Sequence, residues 1–264
     1  MIKLIVSDLD GTLLRSDKSL PPKIFPLIAR MREKGILFAP CSGRQYESLR
    51  RLFEPVQNDV LFVCENGGAV FYRNQLLLAE YLPPDAVEKV VLAMRRLPQC
   101  ETLLCAPDCA YYERKIIPFS ENVKRYYPQN ELVDDLLKVA REKKICKIAL
   151  YAESGAAEAG VESYLNGAVP ELLTKISGFD WCDTTGRETN KSVAIDRLCR
   201  KLGFLREECM AFGDHMNDLE MLQYCGHSFI TANAFGKLKE YGFTVIASND
   251  EEGVLKKIEE LLNE

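Results

Sequence analysis

Short apolar runs that stop abruptly at polar turns alternate along this chain with stretches of helical spacing. The run Ile2-Lys-Leu-Ile-Val6 breaks off in Ser7-Asp8-Leu9-Asp10-Gly11-Thr12. After Pro21-Pro22, Ile24, Leu27, Ile28 and Met31 recur at helical intervals, and Gly35 closes that helix. Ile36-Leu-Phe-Ala-Pro-Cys41 is a second strand, leading to Ser42-Gly43-Arg44, and a helix over Tyr46–Phe53 stops at Pro55. Val60-Leu-Phe-Val-Cys64 is a third strand, ending in Glu65-Asn66-Gly67-Gly68. Continuous apolar strands are those buried on both faces. Strand, helix and strand in this order build right-handed βαβ units and a parallel sheet.

Two short strands, Ala69–Tyr72 and Leu76–Tyr81, are expected to meet at Arg73-Asn74-Gln75, and Pro83-Pro84 marks a boundary. From there to about Thr185 the texture changes. Helices are expected at Asp85–Arg96, Asn130–Glu142 and Ala156–Leu165, with strands at Glu101–Cys105, Tyr111–Arg114, Ile145–Tyr151 and Glu171–Ile176. The turn Thr184-Thr185-Gly186 returns the chain to its first rhythm. Helix Lys191–Leu202, strand Cys209–Phe212, helix Asn217–Tyr224, strand Ser228–Ile230 and helix Glu251–Leu262 follow. The pattern predicts an α/β core interrupted by an inserted α+β module.

A chain of 264 residues can bury a substantial core. Its formal charge of −5, with no concentrated Lys/Arg stripe, argues against a nucleic-acid-binding surface and for a small-molecule partner. The 10 cysteines fall mostly within apolar runs and form no C-x-x-C pair, so they read as buried apolar residues of a reduced protein rather than a zinc site. No apolar run approaches the ~20 residues needed to span a bilayer. Met1-Ile2-Lys3 leads straight into the first strand, leaving no room for a signal peptide, so a cytoplasmic protein is expected. Nothing in the sequence sets the oligomeric state.

Four segments put polar residues where strands end or helices begin. Asp8 and Asp10 follow the first strand; strand side chains alternate, so acids two apart can converge on one small volume. Such a pair needs a cation or a shared proton. Ser42-Gly43-Arg44 adds a hydroxyl and a glycine that lets backbone N–H groups approach an anion. Lys191 opens a helix after Asn190, and Gly213-Asp214-His215-Met216-Asn217-Asp218 carries two further acids. Each alone passes for a turn, a cap or a solvated charge. Together, in order and at the carboxyl ends of strands where open α/β sheets bind ligands, they mark an anion site with a metal.

These segments resemble the haloacid dehalogenase-like hydrolases, in particular their Cof-type sugar-phosphatase branch. Asp8-Leu-Asp-Gly-Thr-Leu-Leu14, Ser42-Gly-Arg44, Lys191 and Gly213-Asp-x-x-Asn-Asp218 match, as do Glu65-Asn-Gly-Gly68 and the tail from Thr231-Ala-Asn-Ala to Asn249-Asp-Glu-Glu-Gly-Val254. The resemblance implies a Rossmann-like parallel-sheet core at 1–82 and 186–264, and an inserted α/β cap at 83–185 that chooses the substrate. It implies a Mg²⁺-dependent phosphomonoesterase acting on small phosphorylated metabolites through an aspartyl-phosphate. Asp8 is then the nucleophile and Asp10 the general acid and base. Asp8, the Asp10 main-chain carbonyl and Asp214 hold the metal. The Leu9 backbone, Ser42, Gly43, Lys191 and Asn217 bind the phosphate. Asp218 either ligates the metal, directly or through water, or holds hydrogen bonds of the site. Arg44 reaches the leaving group or the cap, or forms a salt bridge; Asn66 touches substrate or holds its loop or the cap hinge. His215 reads as a loop residue. The chain departs from the pattern at Ser192, where relatives carry Gly, and at Thr231-Ala232-Asn233, where they carry Met-Gly-Asn; no site role is carried onto that second stretch. A phosphomutase or phosphotransferase would share the intermediate, and a non-catalytic binding module is the third reading.

Overall fold

The computed structural model describes residues 1–97, 99–115, 117–155 and 159–263. Its elements in chain order begin β1 (Leu4–Ser7), α1 (Ile24–Glu33), β2 (Leu37–Pro40), α2 (Tyr46–Leu52), β3 (Leu61–Cys64), β4 (Ala69–Tyr72) and β5 (Gln75–Ala79). A middle stretch follows with α3 (Pro84–Met94), β6 (Cys100–Cys105), β7 (Ala110–Tyr112), α4 (Phe119–Tyr126), β8 (Asn130–Leu132) and α5 (Leu136–Glu142). It continues through β9 (Lys147–Ala152), α6 (Val161–Ala168), β10 (Leu172–Ile176) and β11 (Trp181–Gly186). The chain ends with α7 (Lys191–Leu202), β12 (Cys209–Gly213), α8 (Leu219–Tyr224), β13 (His227–Thr231), α9 (Gly236–Lys239), β14 (Thr244–Ile246) and α10 (Gly253–Asn263).

Two compact units result: Met1–Gly43 with Leu49–Leu78 and Asn190–Glu264, and Arg44–Ser48 with Ala79–Thr189. The divisions fall a few residues from the boundaries expected at 82 and 186. Residues 44–48, expected in the core, pack with the second unit, where the Gln45 amide donates to the Gln129 carbonyl at 2.7 Å and accepts its N–H at 3.0 Å.

The first unit is built on a parallel sheet in the order β14-β13-β12-β1-β2, extended toward β3 by single parallel bridges at Phe38–Val60 and Cys41–Val63. Every residue of β1 is buried, as a central strand covered on both faces requires. Leu4, Val6, Cys209 and Ala211 pack with α7 and α8. On the opposite face Phe212 stacks on Phe229, over which lies Lys257 of α10, and α10 packs against α1. From β1 the chain proceeds outward through β2 on one side and from β12 outward on the other. The switch point of this topology, where open α/β sheets bind ligands, therefore lies between the carboxyl ends of β1 and β12.

The second unit is a six-stranded sheet, β10-β11-β9-β6-β7-β8, antiparallel except where β7 runs parallel to β8. Cys100, Leu104, Ile148, Leu150 and Cys182 face α3, α5 and α6, while Leu103, Cys105, Ala149 and Tyr151 face Phe119 and Val123 of α4. The mixed α/β class and the extra sheet agree with the sequence pattern; several elements do not. The helix expected over Asn130–Glu142 is strand β8 followed by α5, because residues 130–132 pair with β7 and Asp135 caps the helix by accepting the Leu137 N–H at 2.9 Å. Helix α4 was hidden by a short, strongly polar sequence. The turn expected at 184–186 lies within β11, held between β9 and β10. Of the helix expected over Ala156–Leu165, residues 156–158 lie outside the described residues, and the helix seen is α6. All ten cysteines are free and buried, as their apolar settings predicted. Among the described residues no helix is long and apolar enough to cross a membrane.

Candidate active site

Asp8 directly follows β1 and Asp214 directly follows β12, so the switch point brings together two acids 206 positions apart in the chain. Their strands are in register, Ser7 beside Phe212, and the Asp8 N–H donates to the Phe212 carbonyl at 3.0 Å. A 3₁₀ turn at Met216–Asp218 then folds Asp218 back beneath Asp214. One oxygen from each of Asp8, Asp214 and Asp218 lies within 4.8 Å of the others. Lys191, the first residue of α7, is buried among them. Its Nζ donates to Asp8 Oδ1 at 2.5 Å and to Asp218 Oδ1 at 2.6 Å. The helix starts there because the Asn190 side chain caps it, accepting the Val193 N–H at 2.9 Å.

The Asp218 carboxylate accepts three hydrogen bonds: beyond the lysine, its Oδ2 accepts the N–H groups of Asp214 (3.1 Å) and His215 (3.2 Å). Thr12 Oγ1 donates to Asp214 Oδ1 at 2.9 Å. Two glycines make this closeness feasible. A Cβ on Gly213 would sit 2.6 Å from that of Asp218, and one on Gly11, where φ is +89°, would overlap the Asp214 carboxylate.

Three carboxylates, those of Asp8 and Asp218 buried and that of Asp214 half-buried, surround one ammonium, which donates to Asp8 and Asp218. Burial, reinforced by Asp218 and Asp214 and opposed by Lys191, pushes the Asp8 carboxyl up to about 8. Burial and Asp218 also raise Asp214, against the Thr12 hydrogen bond and Lys191. Desolvation pulls the Lys191 ammonium down, but Asp218 and Asp8 more than reverse it, leaving it well above its ordinary value. Cys41, beside this cluster, is a buried thiol pushed up to about 12, chiefly by desolvation, and is no nucleophile at neutral pH. All-oxygen donors with excess negative charge suit a hard divalent cation, and Asp8, Asp214 and Asp218 each offer an oxygen to one.

The other expected residues divide. Asp10 is not one of the three acids whose oxygens lie within 4.8 Å of one another. Strand alternation ends at Ser7, the Leu9 carbonyl turns the chain by accepting from Thr12, Leu13 and Leu14, and the Asp10 carboxylate points to Lys18, 3.1 Å away and half-exposed. Leu9 is buried within this turn. Ser42 is buried at the end of β2; its N–H donates to the Val63 carbonyl (2.9 Å) and its carbonyl accepts the Asn66 N–H (3.0 Å). A Cβ on Gly43 would sit 2.9 Å from Asn66 Oδ1, so Asn66 packs directly on the glycine of that segment. Asn66 itself holds φ at +57°, and Gly67, at +96°, abuts the Asn190 carbonyl in front of Lys191. Asn217 is exposed in the 3₁₀ turn, and the His215 ring lies against Phe235, with 5.2 Å between centroids. Arg44 belongs to the second unit.

Sequence reasoning missed Thr231, Asn233 and Asn249, whose side chains reach the turn after Asp10. The available signal was Thr231-Ala-Asn233 at the carboxyl end of another parallel strand, the same position that marks Asp8 and Asp214.

The family model of the haloacid dehalogenase-like hydrolases matches residues 5–258. Among curated relatives, the 5-amino-6-(5-phospho-D-ribitylamino)uracil phosphatase YbjI of Escherichia coli K12 is 30% identical, the alignment covering 99% of this chain and 96% of that protein. The HMP-PP phosphatase of Escherichia fergusonii is 28% identical over 90% of this chain and 87% of its own length. Among solved structures, a Eubacterium rectale protein superposes with a TM-score of 0.89 at 27% identity, covering 98% of this chain and 99% of that one.

Proposed function

The chain belongs to the haloacid dehalogenase-like hydrolases and is a phosphatase, and on that premise we propose that it hydrolyses small phosphorylated metabolites with Mg²⁺ through a phosphorylated Asp8. The observation that supports this most directly is the cluster of buried Asp8 and Asp218 and half-buried Asp214 around Lys191 at the switch point. Asp8 is the nucleophile: an oxygen of its carboxylate attacks phosphorus, and the leaving alkoxide takes a proton from Asp10. A water then gives its proton to Asp10 and cleaves the aspartyl-phosphate, returning Asp8 and releasing phosphate.

The proton-transfer role of Asp10 is carried over from the family resemblance; its carboxylate stands outside the cluster, 3.1 Å from Lys18, a pairing that substrate binding would have to loosen. Lys191 holds Asp8 in place and supplies fixed positive charge toward phosphoryl oxygens, together with Ser42, the Gly43 and Leu9 backbones and Asn217. A Mg²⁺ ion held by Asp8, the Asp10 carbonyl and Asp214 would neutralise the carboxylates and polarise the phosphoryl group. Asp218, its oxygens already taken by Lys191 and two N–H groups, orients the lysine and the Asp214 backbone rather than ligating directly. Choice of leaving group is assigned to the second unit, which contributes none of the acidic triad.

The relatives' names suggest the first members of a substrate panel, a phosphoribitylaminouracil and HMP-PP, to which simple sugar phosphates are added. Phosphate release is to be measured with and without Mg²⁺, for the wild type and for Asp8→Asn. Release that requires both Mg²⁺ and Asp8 is expected. Full release by Asp8→Asn would remove Asp8 as nucleophile, and release seen only with an added alcohol acceptor would make the protein a phosphotransferase.

A further inference from the structure

The turn that carries Asp10 is gripped by residues more than two hundred positions later. Asn233 Nδ2 donates to the Gly11 carbonyl at 2.7 Å, and Thr231 Oγ1 reaches the same oxygen at 3.4 Å. The Asn233 Oδ1 accepts the Asn249 N–H at 3.0 Å, and Asn249 Nδ2 donates to the Leu14 carbonyl at 2.9 Å. The two amides thus run in series and hold the turn at both its ends. Farther out, Asp250 takes the N–H and hydroxyl of Ser16, at 2.8 and 2.7 Å.

This turn needs external support. Its pivot, Gly11, sits at φ +89° with no side chain to restrict it, and a glycine peptide reorients more readily than any other. The Asp10 carbonyl lies on one side of Gly11. On the other lies Thr12, whose hydroxyl orients Asp214. Two donors on the Gly11 carbonyl fix the plane of the Gly11–Thr12 peptide. Its neighbouring peptide, which bears the Asp10 carbonyl, then has little freedom left.

We propose that Asn233 and Asn249 are positioning residues for cation binding, a two-amide relay that presets the Asp10 carbonyl and the Thr12–Asp214 contact. The relay rests on the reading of Asp8, Asp10 and Asp214 as the cation site. Loss of an outer hydrogen-bond partner of a metal site typically weakens affinity about 10–100-fold. Groups linked in one relay also give non-additive effects.

The test is calorimetric titration of the metal-free protein with Mg²⁺, beside kcat and KM on the best panel substrate, for Asn233→Ala, Asn249→Ala, their double variant and Asp250→Ala. Asn233 is exposed, so its variant folds even if the buried Asn249 does not tolerate replacement. Expected is a roughly tenfold or greater rise in the Mg²⁺ dissociation constant for Asn233→Ala, a double variant no worse than the poorer single one, and KM at saturating Mg²⁺ within about twofold of wild type. Asp250→Ala, which loosens the same strap beyond the relay, should leave Mg²⁺ affinity unchanged. Unchanged affinity in Asn233→Ala, or an equal loss in Asp250→Ala, overturns the relay while the wild type still binds Mg²⁺ and hydrolyses substrate. A wild type that binds no Mg²⁺ overturns the functional reading and the relay with it.

Discussion

Asp8→Asn should make the metal-free protein more stable, and increasingly so as pH rises. In the fold the Asp8 carboxyl titrates near 8, against an ordinary value of 3.8, because it is buried beside Asp218 and Asp214 with only Lys191 to compensate. The folded state therefore holds a proton that the unfolded chain releases. Below about pH 4 both states carry it and the aspartate is harmless. Between 4 and 8 the unfolded chain gains free energy by ionising, and stability falls with a ceiling of about 1.4 kcal/mol per pH unit. Above 8 both states are ionised and the penalty is constant. Asparagine has no such proton, keeps the shape and can still accept from Lys191, which retains Asp218 at 2.6 Å. From pH 5.5 to 7.5 the variant's advantage should grow by roughly 1–3 kcal/mol, the upper end being two pH units at the ceiling. In a domain of this size each kcal/mol moves Tm by about 2–4 °C. Thermal unfolding in EDTA across that range reads the gap directly, and Mg²⁺, binding the wild type, should narrow it. A variant no more stable than wild type at pH 7.5, or an advantage that stays flat with pH, would refute the account of a strained carboxylate.

Lys191→Met should do the reverse, since it strands Asp8 and Asp218 in a buried site without their ammonium. Breaking such a group typically costs about 3–5 kcal/mol, so urea unfolding in EDTA should show a loss of that size, part of it restored by Mg²⁺; a loss under about 1 kcal/mol would mean the lysine is not the charge that holds the triad. Gly67→Ala and Gly35→Ala both place a Cβ at positive φ, but only at Gly67 does it overlap the Asn190 carbonyl, while nothing lies within 4 Å at Gly35. The first should be the more destabilising by about 1 kcal/mol or more, and equal melting points would show that the 65–67 turn can yield without disturbing the start of α7.

What could be read from the sequence follows from how local each signal is. The core strands were plain because β1, β2, β3 and β12 are buried on both faces and so are apolar without interruption. Strand β8 could not be read this way: Asn130-Glu-Leu132 is polar and largely exposed, and it is a strand only because β7 lies beside it. Helix α4 carries Phe119 and Val123 on one narrow stripe among charged residues, too few apolar positions to outweigh its polar face. In both cases the deciding interaction comes from another part of the chain.

The site divides along the same line. Asp8, Asp214 and Lys191 could be picked out because each stands at an element boundary, where a polar residue after an apolar run is conspicuous. Their mutual geometry could not, since it depends on strand order: had β12 not paired with β1, Asp214 would lie strands away from Asp8. Asp10 lies beyond β1, where strand alternation no longer governs, and the turn closed on the Leu9 carbonyl sets its carboxylate 3.1 Å from Lys18. Asp218, four residues after Asp214, could be a ligand or a holder of the site's hydrogen bonds from sequence alone; the 3₁₀ turn brings its oxygens to Lys191 and two backbone N–H groups. The relay proposed for Asn233 and Asn249 follows the same logic, although their residue types announce nothing: the Gly11 and Leu14 carbonyls of the turn after Asp8 take their donors from amides more than two hundred residues away in the chain.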